Sequence, residues 1–92
     1  MIISFKHKGL KEFFSKGTMR GIQPSHSNRL RMQLTALSTA TTIDDLNIPG
    51  YNLHQLTGDR RNIWSVKVNG NWRLTFEYIN GNVYILNYED YH

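Results

Sequence analysis

Two periods divide the chain. Up to about Thr42 its apolar residues recur at helical spacing, and after Pro49 they alternate with polar ones. Ile2 to Phe5 reads as a short opening strand. Gly9 to Lys16 reads as a helix with Leu10, Phe13 and Phe14 on one face and Lys8, Lys11, Glu12 and Lys16 on the other, stopped by Gly17. Gly21 and Pro24 mark a connection, after which Ser25 stands where a helix N-cap would. In the second helix Leu30, Leu34 and Leu37 form a stripe that belongs against a sheet. His26, Arg29 and Arg31 fall off the stripe and are expected in solvent. Thr39-Ala40-Thr41-Thr42 ends the helix, and Asp44-Asp45-Leu46 reads as a short turn.

In the second half Leu53-His54-Gln55-Leu56 is a short strand closed by Gly58-Asp59. Trp64, Val66 and Val68 alternate with polar residues, as do Trp72, Leu74, Phe76 and Tyr78. A three-residue loop, Asn69 to Asn71, would set Val68 against Trp72 and Val66 against Leu74, whereas a two-residue Asn69-Gly70 turn would oppose Val66 to Arg73. Asn80-Gly81 predicts a type I′ turn that sets Tyr78 against Val83 and Phe76 against Ile85. An unbroken strand then pairs Arg73 with Tyr88 and projects Asp90, His92 and Lys67 to the Arg73 face, with Tyr84 and Leu86. The class is α+β, two N-terminal helices packed on an antiparallel sheet, as one domain over residues 1–92.

Composition narrows the function. Eleven Lys and Arg against seven acids leave a net charge of +4, which favours a polyanionic partner, nucleic acid above all. There is no cysteine, so thiolate metal sites and thiol nucleophiles are excluded and a reducing cytoplasm is the expected compartment. No apolar run approaches the roughly 20 residues of a membrane span, and no membrane role is expected. Phosphate-binding glycine loops, nucleophile elbows and His-x₃-His pairs are missing from the sequence, so neither a metal nor a cofactor is called for.

The chemistry gathers near Tyr88-Glu89-Asp90-Tyr91-His92, which follows the strand-like Val83-Tyr84-Ile85-Leu86. Histidine titrates between pH 5 and 8 and suits proton transfer. Arg73 stands mid-strand, where a charge needs a partner or a ligand, either Glu77 or Asp90 in an ion pair or a phosphate oxyanion. His54 is a second imidazole. Two imidazoles, a guanidinium and a carboxylate match what metal-free RNA cleavage needs: a base for the 2′-OH, a cation for the phosphorane and an acid for the 5′-oxygen.

These segments resemble the HigB toxins of the RelE/ParE superfamily, from end to end. The similarity runs through Met1-Ile2-Ile3-Ser4-Phe5-Lys6-His7-Lys8-Gly9-Leu10, Leu53-His54-Gln55-Leu56-Thr57-Gly58-Asp59-Arg60, Asn71-Trp72-Arg73-Leu74-Thr75-Phe76 and Ile85-Leu86-Asn87-Tyr88-Glu89-Asp90-Tyr91-His92. The resemblance implies a compact RNase-like fold and ribosome-dependent cleavage of mRNA in the A site. It implies neutralisation by a HigA-type helix-turn-helix antitoxin, through which the complex reaches operator DNA. His54, Arg73, Asp90, Tyr91 and His92 match the positions such toxins use for catalysis. The chain departs at Thr57, where relatives carry a lysine thought to hold the RNA phosphate; Lys67, Arg60 and Arg61 are the candidates to replace it. Lys6, Lys8, Lys11, Lys16, Arg20, Arg29 and Arg31, with Arg60 and Arg61, are then free to grip ribosomal RNA. Tyr88 and Tyr91 are left for base contact, because Trp64, Trp72 and Phe76 alternate onto the inward face. A ParE-like toxin that poisons gyrase without cutting RNA, and a nucleic-acid-binding co-repressor, are the rival readings.

Overall fold

Among the described residues the helical period produces two α-helices and the alternating period four strands. The computed structural model describes residues 1–60 and 62–90, in the order α1 (Lys8–Lys16), α2 (Ser27–Thr39), β1 (His54–Gln55), β2 (Ile63–Asn69), β3 (Trp72–Ile79) and β4 (Asn82–Asp90). The side chain of His7 caps α1 by accepting the Leu10 N–H at 2.9 Å, and Gly17 ends it in the left-handed conformation at φ 74°. Ser25 does not cap α2. Pro24, with its fixed φ, opens a 3₁₀ turn over Pro24–His26 that runs directly into the helix. A second 3₁₀ turn, Ile43–Leu46, carries a capping box between Thr42 and Asp45.

The strands form one antiparallel sheet in the order β1-β2-β3-β4. Leu30, Leu34 and Leu37 of α2, with Leu10 and Phe13 of α1, bury against Val66, Leu74, Phe76, Val83 and Leu86. The expected opening strand is reduced to two parallel bridges, Ile2 to Val83 and Phe5 to Leu86, along the outer edge of β4. They supply the edge strand's unpaired backbone groups with partners.

The hairpin registers follow the apolar pattern until it breaks. Val66 opposes Leu74 as expected, but a bulge between Lys67 and Asn69 lets Asn69, not Val68, face Trp72. Asn80 and Gly81, at φ 51° and 82°, make the expected I′ turn and set Tyr78 against Val83. Beyond Tyr84 a second bulge shifts the pairing by one residue, so that Thr75 opposes Asn87, Arg73 opposes Glu89 and Trp72 opposes Asp90. Ile85 stands at the bulge with φ 49°, a conformation that a β-branched residue rarely adopts. Its amide is held at 2.8 Å by Ser4 Oγ. An unbroken strand would have turned Ile85 inward with Leu86 and Tyr88 outward. The bulge instead buries Leu86 and Tyr88 and exposes Ile85. Two large side chains enter the core for one lost, and burying each stabilises by about 1.5–3 kcal/mol.

Candidate active site

The sheet face opposite the helices is polar, and the registers assemble it in two rows. One row runs His54, Ser65, Thr75, Asn87; the next runs Lys67, Arg73, Glu89. Lys67 and Arg73 therefore share a face, as the alternation predicted. Asp90 does not join them: the bulge places it opposite Trp72, on the helix side of the sheet. Glu89 occupies the carboxylate position beside Arg73 instead. The phase break between Val83-Ile85 and Leu86-Tyr88 was the signal in the sequence that could have revealed this. Tyr91 and His92 lie outside the described residues, as does Arg61.

His54 is exposed at the edge of the sheet. Its Nδ1 lies 3.1 Å from the carbonyl of Asn52. A carbonyl only accepts, so this hydrogen bond puts the proton on Nδ1 and leaves the Nε2 lone pair for a substrate proton. Ser65 Oγ stands 3.5 Å from each ring nitrogen, too far for a strong hydrogen bond. Two strand spacings and one pleat separate His54 from Arg73, roughly 12 Å between Cα atoms. Two long side chains can therefore reach one phosphodiester from opposite sides.

Arg73 donates through Nη1 to the carbonyls of Gly70 at 3.0 Å and Trp72 at 3.3 Å. The β2–β3 turn thus orients the guanidinium. Among the described residues neither Glu77 nor Asp90 pairs with it.

Glu89 is fully engaged. Arg60 donates to it with both Nη groups, each at 3.1 Å, Thr75 Oγ1 donates at 2.7 Å and Asn87 Nδ2 at 3.0 Å. Burial pushes this carboxyl up, but the hydrogen bonds from Arg60 and Thr75, the Arg60 charge and the Asn87 amide together hold it below the ordinary glutamate range. A carboxylate so committed is a poor proton acceptor. It instead ties the Gly58–Arg60 turn, which follows Thr57, to the strand carrying Asp90.

On the helix side, Tyr88 and His26 were expected in solvent and are buried instead. The Tyr88 hydroxyl lies 2.6 Å from His26 Nδ1, and Trp72 packs on the Tyr88 ring at 4.6 Å. Tyr88 is therefore no platform for a base. Arg29 is also less solvated than its position suggested: its Nη2 donates to Gly50 O and Lys67 O, and its guanidinium lies over the Tyr51 ring. Lys6, Lys8, Lys11, Lys16, Arg20 and Arg31 are exposed. Lys6 also lines a small hollow of about 130 Å³ with Arg60, Asn87 and Glu89. Among the described residues no three His, Asp or Glu side chains converge on a metal position, and no helix is long and apolar enough to cross a membrane.

The chain is similar to known proteins over its length. Residues 3–92 match the family described as RelE-like toxin of type II toxin-antitoxin system HigB. The chain is 54% identical to Endoribonuclease HigB of Proteus vulgaris over the whole length of both. It is 33% identical to Toxin HigB-1 of Vibrio cholerae serotype O1 (strain ATCC 39315 / El Tor Inaba N16961), covering 88% of this chain and 87% of the relative. The chain belongs to the HigB family of RelE-like toxins of type II toxin–antitoxin systems.

Proposed function

We propose that the protein is an endoribonuclease that cuts mRNA on the ribosome by acid–base chemistry and is silenced by a HigA-type antitoxin. The observation that carries this reading is the polar sheet face. There an imidazole with an available Nε2 shares a surface with a turn-oriented guanidinium that has no acidic partner among the described residues. In the reaction a base takes the 2′-OH proton, the 2′-oxygen bonds to phosphorus, and the bond to the 5′-oxygen breaks as that oxygen is protonated. His54 supplies one imidazole and Arg73 meets the charge developing on the phosphorane; the family resemblance adds His92, Tyr91 and Asp90, the last of them from the end of β4, where its register sets it on the helix side of the sheet.

The ribosome enters because the protein has little surface of its own for reading RNA. Trp64, Trp72 and Phe76 pack on the helix side of the sheet, and Tyr88 is buried. A free RNA-binding module needs aromatic platforms in a basic groove. The exposed Lys6, Lys8, Lys11, Lys16, Arg20 and Arg31 suit contact with ribosomal RNA, whose phosphates would make the action salt-dependent. Such a target places the protein in the cytoplasm. In partnership with its antitoxin it reaches operator DNA only indirectly.

The test is purified protein added to ribosomes programmed with a defined mRNA, beside the same RNA free. The expected result is cleavage only of the ribosome-bound message, leaving a 5′-hydroxyl and a 2′,3′-cyclic phosphate. Inhibition of gyrase supercoiling without any RNA cleavage would overturn the reading.

A further inference from the structure

Lys67 faces Arg73 directly across β2 and β3. Like charges opposite one another on a sheet, with Cβ atoms about 4.5–5.5 Å apart, destabilise it. The acid that completes the row is Glu89, and its carboxylate is taken up by Arg60, Thr75 and Asn87. Among the described residues neither Lys67 nor Arg73 has an ion-pair partner. Two cations are thus held side by side, while the nearest acid in their row is neutralised by a third cation.

The fold also fixes Lys67 more firmly than an ordinary surface lysine. Its N–H donates to Tyr51 O at 2.6 Å. Its carbonyl accepts from Gln33 Nε2 at 2.7 Å and Arg29 Nη2 at 3.2 Å, and Gln33 is completely buried. Two α2 side chains therefore grip the backbone of a residue whose own side chain emerges half-buried on the opposite, polar face. A bulge follows it immediately, and bulges commonly re-aim side chains beside functional sites.

We propose that Lys67 and Arg73 form a two-cation seat for the scissile phosphate, making Lys67 a further catalytic residue. This rests on the endoribonuclease reading. As the bond from the 2′-oxygen forms and the bond to the 5′-oxygen breaks, negative charge grows on the non-bridging oxygens. The planar guanidinium is suited to meet one of them and the compact ammonium the other. The pair is unfavourable in the free protein and becomes favourable when a dianionic phosphorane lies between its members, so its binding is stronger in the transition state than in the ground state.

The experiment measures single-turnover cleavage of ribosome-bound mRNA at saturating protein, for wild type, Lys67→Met, Lys67→Arg and Arg73→Ala. A second message carries sulfur in place of a non-bridging oxygen at the cut linkage. Wild-type cleavage of the ordinary message first establishes the endoribonuclease reading; without it, that reading fails and not the seat alone. With it, Lys67→Met should lower the maximal rate roughly 10²-fold, the usual effect of losing one preorganised donor. Lys67→Arg should recover much of the loss, and the penalty for sulfur should shrink in Lys67→Met because the contact it disturbs is already gone. Thermal melting should show Lys67→Met at least as stable as wild type, since a repulsion has been removed. A variant with the wild-type maximal rate and only weaker ribosome binding would overturn the proposal, as would a rate loss that tracks a lowered melting temperature.

Discussion

The Tyr88 hydroxyl and His26 Nδ1 meet at 2.6 Å inside the protein, 62 residues apart in the chain. The contact fastens the last strand to the start of α2, two residues before Asp90. Tyr88→Phe keeps the ring packed on Trp72 but leaves a buried ring nitrogen without its partner, which costs about 1–3 kcal/mol. Urea unfolding should show a lower midpoint with an unchanged slope.

The same histidine makes stability depend on pH. Burial lowers the His26 pKa in the folded state, and burial likewise lowers that of His7 against a smaller opposing effect of its own backbone. The folded protein therefore binds fewer protons than the unfolded chain. Stability from this source is full above the unfolded value near 6.5 and is lost as pH falls toward the folded one. Between pH 7.5 and 5.5 the melting temperature should fall, and His26→Gln should flatten that dependence in part, His7 retaining the rest.

The Arg60–Glu89 link has the opposite chemistry and a lower pH window. Glu89 is depressed in the folded protein, so its contribution is present above the unfolded carboxylate value near 4.3 and is lost as pH falls through the folded one. Removing the acceptor strands donors from Arg60, Thr75 and Asn87. With both partners partly solvated, the cost of Glu89→Ala is on the order of 1–2 kcal/mol. Hydrogen exchange should show faster opening of the connection at Gly58–Arg60 in that variant. Unchanged exchange there would mean that Glu89 does not tether the connection.

Much of this architecture was legible because periodicity reports burial. The Leu30–Leu34–Leu37 stripe, the Val66–Leu74 pair and the Asn80–Gly81 turn all follow from which side chains must leave water. What was not legible was the bulge at Ile85, where two locally consistent apolar patterns are out of phase by one residue. Strict alternation from Tyr78 onward carries the wrong parity to Glu89 and Asp90, and with it the wrong acid beside Arg73. His26 was missed for a related reason: a polar residue off the helix stripe is buried here by an aromatic cluster supplied from the sheet. The strain at the bulge is testable. Left-handed backbone costs a β-branched residue about 1–2 kcal/mol, and glycine returns about 0.5–1 of that through its greater chain entropy. Ile85→Gly, at an exposed position, should raise stability by up to about 1 kcal/mol. A loss of stability would show that the Ile85 side chain holds the bulge.

The two imidazoles can be separated by the chemistry each is expected to perform. With its proton on Nδ1, His54 presents Nε2 as a base, which leaves His92 to donate to the departing 5′-oxygen. The base takes the 2′-OH proton and the acid gives one to the 5′-oxygen, so losing either slows the reaction. His54→Gln and His92→Gln should each lower the rate by about 10²–10⁴-fold. A message whose 5′-bridging oxygen at the cut site is replaced by sulfur distinguishes them, because a thiolate leaves without protonation. That substrate should restore cleavage by the His92 variant and leave the His54 variant slow. Rescue of the His54 variant instead would exchange the roles, and rescue of neither would remove His92 from proton transfer and leave the acid to be found among Asp90 and Tyr91.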